Sequence, residues 1–395
     1  MSYSPFRHLS SVFWKRSPVH LTCFVTSRCN ARCSFCFYGS NIKRQQVYEE
    51  LSLQEIEKVS RSMGNLMWLA FSGGEVFLRQ DIHDLAGVFY RNNKPSIILL
   101  STNGLLINTI RDQVEEILRT CRKSTVVVKL SLDGPESIHD QLRGVKGAFN
   151  KVLNTYKALS KYIDRYPNFE LGINTVFCPD NKDYMEATKR IVSKLDGVGT
   201  HTVSVLRNSS GSNGLSSDEI EMYYRVTNGT VPGSTWENTG NYRFLGAGLK
   251  SAQDRLQSRA IYRTMVEKKR VMRCYAGRLN IVLTENGDVY PCESLRNKLG
   301  NIREHSYDMK DLLSSISASD SIREVSKGTC YCTNECYMMT NIFFNPRMIP
   351  AVLYEYIRSG TGRTGPDGDE RSLCPQKDKG LRGIVPNRTI AELDS

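Results

Sequence analysis

Between residues 19 and 206 the chain alternates six short apolar runs with stretches of helical periodicity, and this alternation limits the possible folds more than any other feature. Leu21–Thr26, Met67–Phe71, Ser96–Leu100, Thr125–Leu132, Phe169–Phe177 and Thr200–Leu206 read as strands. Leu53–Met63, Asp81–Tyr90, Ile107–Cys121, Gly147–Ile163 and Lys182–Leu195 read as helices. The first of these helices follows Ser52, with Glu55 completing a capping box. Apolar strands joined by helices make a parallel sheet with both faces covered. Six strands fall short of an eight-stranded barrel, which takes ~250 residues. The expected class is therefore α/β, a partial (β/α)6 TIM-like barrel.

In such barrels the chemistry gathers at the C-terminal ends of the strands, and this chain puts its unusual residues there. Cys29, Cys33 and Cys36 follow the first strand. Ser72-Gly73-Gly74-Glu75 follows the second, and Ser101-Thr102-Asn103-Gly104 the third. Ser131-Leu132-Asp133-Gly134 ends the fourth, and Asn174 and Cys178 bracket the end of the fifth. Asn-Gly and Asp-Gly are ordinary turn pairs taken one at a time. Five such elements on one rim call for a common purpose.

The Cys-x3-Cys-x2-Cys triplet brings three thiolates within eight residues. A cubane iron–sulfur cluster has four irons, each needing an outer ligand, so three thiolates leave one iron open to a small molecule. A zinc site wants four ligands, and the nearest histidines, His20 and His83, have no knuckle spacing. A disulfide framework belongs to small domains in oxidising compartments. Residues 1–20 carry Arg7, Lys15 and Arg16 and no apolar h-region of a signal peptide. Twelve cysteines without such a signal favour metal binding in a reducing cytosol. No apolar run approaches the ~20 residues that cross a bilayer. The net charge of +12 admits an anionic partner, but the basic residues are interspersed with acidic ones, and the densest patch, Lys268–Arg273, is short.

On these residues the sequence resembles the radical S-adenosylmethionine (SAM) enzymes over roughly 19–206. The resemblance implies that Cys29, Cys33 and Cys36 ligate a [4Fe-4S] cluster whose open iron is chelated by SAM. It also implies that reduction yields a 5′-deoxyadenosyl radical, with an external donor such as a flavodoxin or ferredoxin supplying the electron. Phe35 matches the aromatic residue near the adenine. Gly73, Gly74 and Glu75 match the element that holds the SAM amino group, with Val76 in place of the usual proline. Ser131 and Asp133 resemble the ribose-binding pair. Asn103 and Arg143 resemble residues lining the SAM site, the arginine suiting a carboxylate. Cys178 has two readings: a buried small residue at a strand end, or the catalytic hydrogen-atom donor that quenches a substrate radical, as in radical epimerases.

A second cysteine group follows. Cys274-x12-Gly287-x4-Cys292 spans a predicted β-hairpin turning at Glu285-Asn286-Gly287, and Cys330-x-Cys332-x3-Cys336 comes after it. By ligand type a zinc site remains open here. The spacing resembles the start of a SPASM module, in the shortened "twitch" form with one auxiliary cluster, expected to be [4Fe-4S]. Cys274, Cys292 and Cys336 fit that pattern, Cys330 and Cys332 compete for the fourth place, and Cys374 is spare.

The expected organisation is an N-terminal extension (1–18), a radical SAM core (19–206), a helical linker (207–270), an auxiliary-cluster domain of β-hairpin and helix (271–345) and a partly disordered tail (346–395). The expected function is hydrogen abstraction from a substrate C–H bond, ending in oxidation, epimerisation or bond formation. The short stretch before the triplet and the shortened module tilt the substrate towards a small polar molecule. A peptide or protein substrate is the alternative. A non-catalytic iron–sulfur carrier would explain the cysteines but not the Gly-Gly-Glu and Ser-x-Asp elements. A zinc-dependent nucleic-acid binder lacks a recognisable module, so no nucleic acid is expected. The expected location is the cytoplasm.

Overall fold

A computed structural model describes residues 2–39, 49–207, 214–228, 242–328 and 330–360. Six parallel strands form its core: β1 (His20–Thr26), β2 (Trp68–Gly73), β3 (Ile97–Thr102), β4 (Thr125–Ser131), β5 (Phe169–Phe177) and β6 (Val198–Val205). Helices α1 (Leu53–Ser62), α2 (Ile82–Asn93) and α3 (Ile107–Thr120) connect the first four strands. Both α4 (Glu136–Arg143) and α5 (Ala148–Ser160) lie between β4 and β5, and α6 (Met185–Val192) precedes β6. The capping box of α1 is present: Glu55 N–H donates to Ser52 Oγ (3.3 Å) and Ser52 N–H to Glu55 Oε2 (2.8 Å). Helix α4 was not expected, because it has only eight residues and follows directly on the Asp133-Gly134 turn.

The core lies between the strands and their outer helices. Leu21, Leu69, Ile98, Val126, Val128, Leu171 and Ile173 pack against Ile56, Val59, Leu85, Phe89, Val114 and Ile117 in one cluster. These alternate strand positions face outward to the helices and leave the other face to the barrel interior.

The second cysteine group is part of the same sheet. Its hairpin, β7 (Asn280–Leu283) and β8 (Asp288–Tyr290), pairs antiparallel as the sequence indicates, with Gly287 at φ +89° in the turn. Strand β7 also runs parallel to β1, with Leu21 opposite Ile281 and Cys23 opposite Leu283. A two-residue strand β9 (Gly300–Asn301) adds to β8, giving the order β6-β5-β4-β3-β2-β1-β7-β8-β9. The sheet does not close on itself. The auxiliary hairpin occupies the free edge of β1, and Tyr38, two residues past the triplet, donates to the Glu285 carboxylate (2.7–2.8 Å) to tie the turn to the triplet loop.

Beyond β6 the chain forms α7 (Ser217–Asn228) and α8 (Ala247–Glu267), then, after the hairpin, α9 (Met309–Ser314), α10 (Ile316–Lys327), α11 (Glu335–Phe343) and α12 (Ile349–Gly360). Pro346–Met348 is a one-turn 3-10 helix capped by Asn345 and leading into α12. That helix is held to α8 through Glu355, a buried carboxylate that accepts from Arg255 (3.2 Å) and Arg259 (2.6 Å). The first part of the expected tail is thus folded. Residues 361–395, including Cys374, lie outside the described residues, as do most of 207–241.

Candidate active site

The triplet loop leaves β1 and is fixed from two sides. Arg32 N–H donates to the Arg143 carbonyl (2.9 Å) and Ser34 N–H to that of Leu142 (3.0 Å), which pins the loop to the end of α4. On the other side Gly74 N–H donates to Thr26 O (2.7 Å) and Glu75 N–H to Arg28 O (2.9 Å). This second contact explains the two glycines locally. A Cβ on Gly74 would lie 2.0 Å from the Arg28 carbonyl oxygen, and one on Gly73, at φ +116°, 2.4 Å from that of Thr26. Neither obstacle is a side chain that could swing away. We therefore expect Gly74→Ala to lower stability by about 3 kcal/mol and to shift the loop bearing Cys29. An unchanged urea midpoint with full iron loading would refute this.

Glu75 is 1 % exposed. Its carboxylate accepts from Thr102 Oγ1 (2.7 Å), Asn103 N–H (2.8 Å) and Phe77 N–H (3.3 Å), so it ties the ends of β2 and β3 together. Burial raises its pKa against these bonds. A carboxylate has about four lone-pair sites, so one is left for a donor in the cavity that Glu75 lines.

That cavity, of about 350 Å³, is large enough for a cofactor-sized ligand. Cys29, Cys33, Cys36 and Phe35 border it, together with Gly73, Gly74, Glu75, Asn103, Ser131 and Arg143. Asn103 Nδ2 donates to Asn30 Oδ1 (2.7 Å) and sits 3.9 Å from Cys29 Sγ. Arg143 reaches Cys33 Sγ (3.6 Å) and lies over the Phe35 ring, 5.2 Å from its centroid. Burial raises the Cys29 and Cys36 thiols; a metal ion taking the proton's place would reverse that. Among the described residues no three Cys, His, Asp or Glu side chains converge as they would round a single metal ion. A cubane spreads its outer ligands over separate irons.

Two expected site residues lie elsewhere. Asp133 does not border the cavity. It is fully buried, accepting from Arg143 Nε (2.6 Å) and Val176 N–H (2.9 Å), and so serves as the counter-ion to Arg143. Cys178 is also buried outside the cavity lining, and burial pushes its thiol up to about 11. Burial outside the lining supports the reading of a small packed residue at a strand end. Cys178→Ala is expected to leave turnover within about twofold of the parent; loss of net product with SAM cleavage retained would instead make it the hydrogen-atom donor.

The cavity lining also includes charged residues that the sequence did not indicate. Lys129 projects inward from β4 over Gly172, donates to Thr202 Oγ1 (2.6 Å), and is lowered by burial to about 8. Arg207, just past β6, bridges Glu293 (2.7 Å) and Glu335 (2.5 Å), the neighbours of Cys292 and Cys336. From α8 come Lys250 and Asp254, an ion pair that Tyr242 joins through its hydroxyl (2.7 Å). A lysine among the β-branched residues of β4 was a readable signal. The meeting of β6, α8 and the cysteine loops was not.

In the second cysteine group, Cys274, Cys292, Cys332 and Cys336 pack around one small apolar cluster of Ala276, Val325 and Tyr337. Cys330 is exposed, with its sulfur 2.9 Å from Arg270 Nη2.

The radical SAM superfamily pattern matches residues 23–192, and that of the SPASM iron–sulfur cluster-binding domain matches residues 274–337. The antilisterial bacteriocin subtilosin biosynthesis protein AlbA of Bacillus subtilis (strain 168) is 24 % identical over 296 residues, covering 74 % of this chain and 59 % of AlbA. The sporulation killing factor maturation protein SkfB of the same organism is 31 % identical over 156 residues, 39 % of this chain and 36 % of SkfB. The chain thus spans less than two thirds of the length of either relative. A cysteine-type anaerobic sulfatase-maturating enzyme of Clostridium novyi (strain NT) is 27 % identical over 187 residues, 44 % of this chain and 47 % of that enzyme. Among solved structures, native anSMEcpe with bound AdoMet superposes with a TM-score of 0.53 at 18 % identity, over 87 % of this chain and 100 % of that one, which shows a shared fold. The chain thus carries a radical SAM superfamily domain over residues 23–192 and a SPASM iron–sulfur cluster-binding domain over residues 274–337.

Proposed function

We propose that this chain binds a [4Fe-4S] cluster at Cys29, Cys33 and Cys36 and SAM beside it, and removes a hydrogen atom from a C–H bond of a substrate seated in the same cavity. The observation that carries this reading is one cavity lined by the three thiols and Glu75 and also by Lys129, Arg207 and Asp254. When bound and reduced, the cluster and SAM supply the 5′-deoxyadenosyl radical. The residues provide placement. The remaining acceptor site on Glu75 suits the SAM ammonium, Arg143 suits its carboxylate, Phe35 its adenine and Ser131 its ribose. Cys274, Cys292, Cys332 and Cys336 form the second ligand set, the exposed Cys330 being left out.

The substrate in the first reading is a peptide, since the match to the bacteriocin biosynthesis protein runs through most of this chain. A small polar molecule is the second reading, favoured by the charged residues of the cavity lining. Whether the step ends in oxidation or isomerisation depends on that substrate. The test is anaerobic reconstitution, iron and sulfide counts, then reduction with SAM. About eight irons and formation of 5′-deoxyadenosine are expected. About four irons without SAM cleavage would favour an electron carrier, and zinc without sulfide would end the proposal.

A further inference from the structure

Among the described residues, one face presents exposed apolar side chains with positive charge beside them, and none of these apolar side chains lines the cavity. The N-terminal 3-10 helix, Pro5–Val12, buries His8 and Val12 and leaves Phe6 and Leu9 exposed. The next two residues stand out further, Phe13 at 67 % and Trp14 at 58 % exposure. Helix α12 does the same: Val352 and Glu355 are buried, while Leu353, Tyr354, Tyr356 and Ile357 (62 %) are exposed.

The two elements are neighbours. Val12 belongs to the same apolar cluster as Phe344 and Ile349 at the start of α12. At the other end, the start of α8 lies between them: Phe6 is 3.7 Å from a Cβ placed on Gly246, and the Tyr356 ring closely approaches the Cα of Gly248. Leu245, beside that contact, is 54 % exposed. A contiguous exposed apolar surface of this kind marks an interaction site.

Charge narrows the partner. Residues 2–18 contain Arg7, Lys15 and Arg16 and no carboxylate. Residues 343–358 contain Arg347 and Arg358 and a single carboxylate, Glu355, which is buried against arginines. Arg16, Arg273 and Arg347 are exposed. The face therefore presents apolar and aromatic tips with cations and no accessible acid from either segment. Exposure above half at Leu9, Phe13, Trp14, Leu245 and Ile357 also argues against a groove, whose walls would shield its lining, and so against a bound peptide helix. Protruding Trp, Tyr, Phe and Ile side chains among basic residues are the chemistry of a bilayer interface, where aromatic rings settle at headgroup level and cations meet anionic lipid.

We propose that this face docks the protein on an anionic lipid surface, without crossing it; no helix among the described residues is long and apolar enough to span a bilayer. Docking here is independent of the reaction proposed for the cavity.

The test uses the full-length, reconstituted protein with vesicles of phosphatidylcholine containing about a third phosphatidylglycerol, read by co-sedimentation. Bilayer-depth quenching of Trp14 emission by spin-labelled lipid is the second readout. Binding that weakens with salt is expected, along with quenching that disappears in Trp14→Ser. The paired variants Phe13→Ser/Trp14→Ser and Leu353→Ser/Ile357→Ser should each bind at least about tenfold more weakly, with 5′-deoxyadenosine formation unchanged. No binding to the anionic vesicles would overturn the proposal. So would equal binding by the apolar variants, which would reduce the effect to adsorption of a basic protein. Concentration-dependent dimerisation abolished by the same variants, with no vesicle binding, would assign the face to a second copy of the chain instead.

Discussion

Alanine in place of Cys29, Cys33 or Cys36 is expected to reduce 5′-deoxyadenosine formation to background, each substitution alone being sufficient. The three thiols come from one loop, border one cavity, and feel one another electrostatically. A cluster held by three protein thiolates has no reserve: removing one opens a second iron and loosens the whole group. The loop itself should survive. Its position rests on backbone bonds from Arg32, Ser34, Gly74 and Glu75 rather than on the thiols, and truncating a half-buried cysteine costs about 1 kcal/mol. Iron should fall from about eight to about four per chain, with the circular dichroism spectrum unchanged. Cys121, buried in the apolar core, supplies the control, since Cys121→Ala should keep both iron and cleavage. A Cys36→Ala protein with full iron and undiminished cleavage would remove the triplet from the chemistry altogether.

Arg143→Met should cost about 3–5 kcal/mol of stability, the largest such effect expected from one polar side chain here. Asp133 is 0 % exposed, and among the described residues its ion-pair partners are Arg143 and the ring of His139, the latter at 3.8 Å. Burial lowers His139 to about 4, so that ring is neutral near pH 7 and does not replace the guanidinium. Losing Arg143 leaves a carboxylate in the interior with the Val176 N–H and no opposing charge. The double variant Arg143→Met/Asp133→Asn separates structure from function. An amide can still accept from Val176 N–H and carries no charge, so most of the stability should return. SAM cleavage should not, because the guanidinium that faces Cys33 and Phe35 is still missing. The urea midpoints of the parent, single and double variants give the first answer and the 5′-deoxyadenosine assay the second. A single variant within about 1 kcal/mol of the parent would mean that the pair is solvated and that Asp133 has some other role.

Much of the catalytic end was readable from the sequence because it is local. The triplet, Gly73-Gly74-Glu75 and the residues around Ser131 each follow a strand that periodicity alone identifies, and parallel strands carry such residues to one rim whatever their separation. Side-chain direction was not readable. Asp133 and Ser131 are two residues apart on the same segment, yet only Ser131 reaches the cavity, because Arg143 and Val176 turn the Asp133 carboxylate inward. The glycines were assigned to the cofactor, but their immediate constraint is the backbone of Thr26 and Arg28. Cys178 sits at a strand end like the other candidate residues, and only packing shows it buried outside the cavity lining.

The sequence by itself determined six parallel strands, the two cysteine groups and the hairpin within the second. These depend on patterns a few residues long, where the side-chain period and turn chemistry act directly. The tertiary structure alone decided that β7 pairs with β1, so that the auxiliary module continues the core sheet, and that β6, α8 and the second cysteine group contribute to the cavity lining. It also decided that the N-terminal helix and α12 meet on one apolar face. Such pairings join segments hundreds of residues apart. They are selected by the burial that the whole fold achieves, which no local pattern encodes.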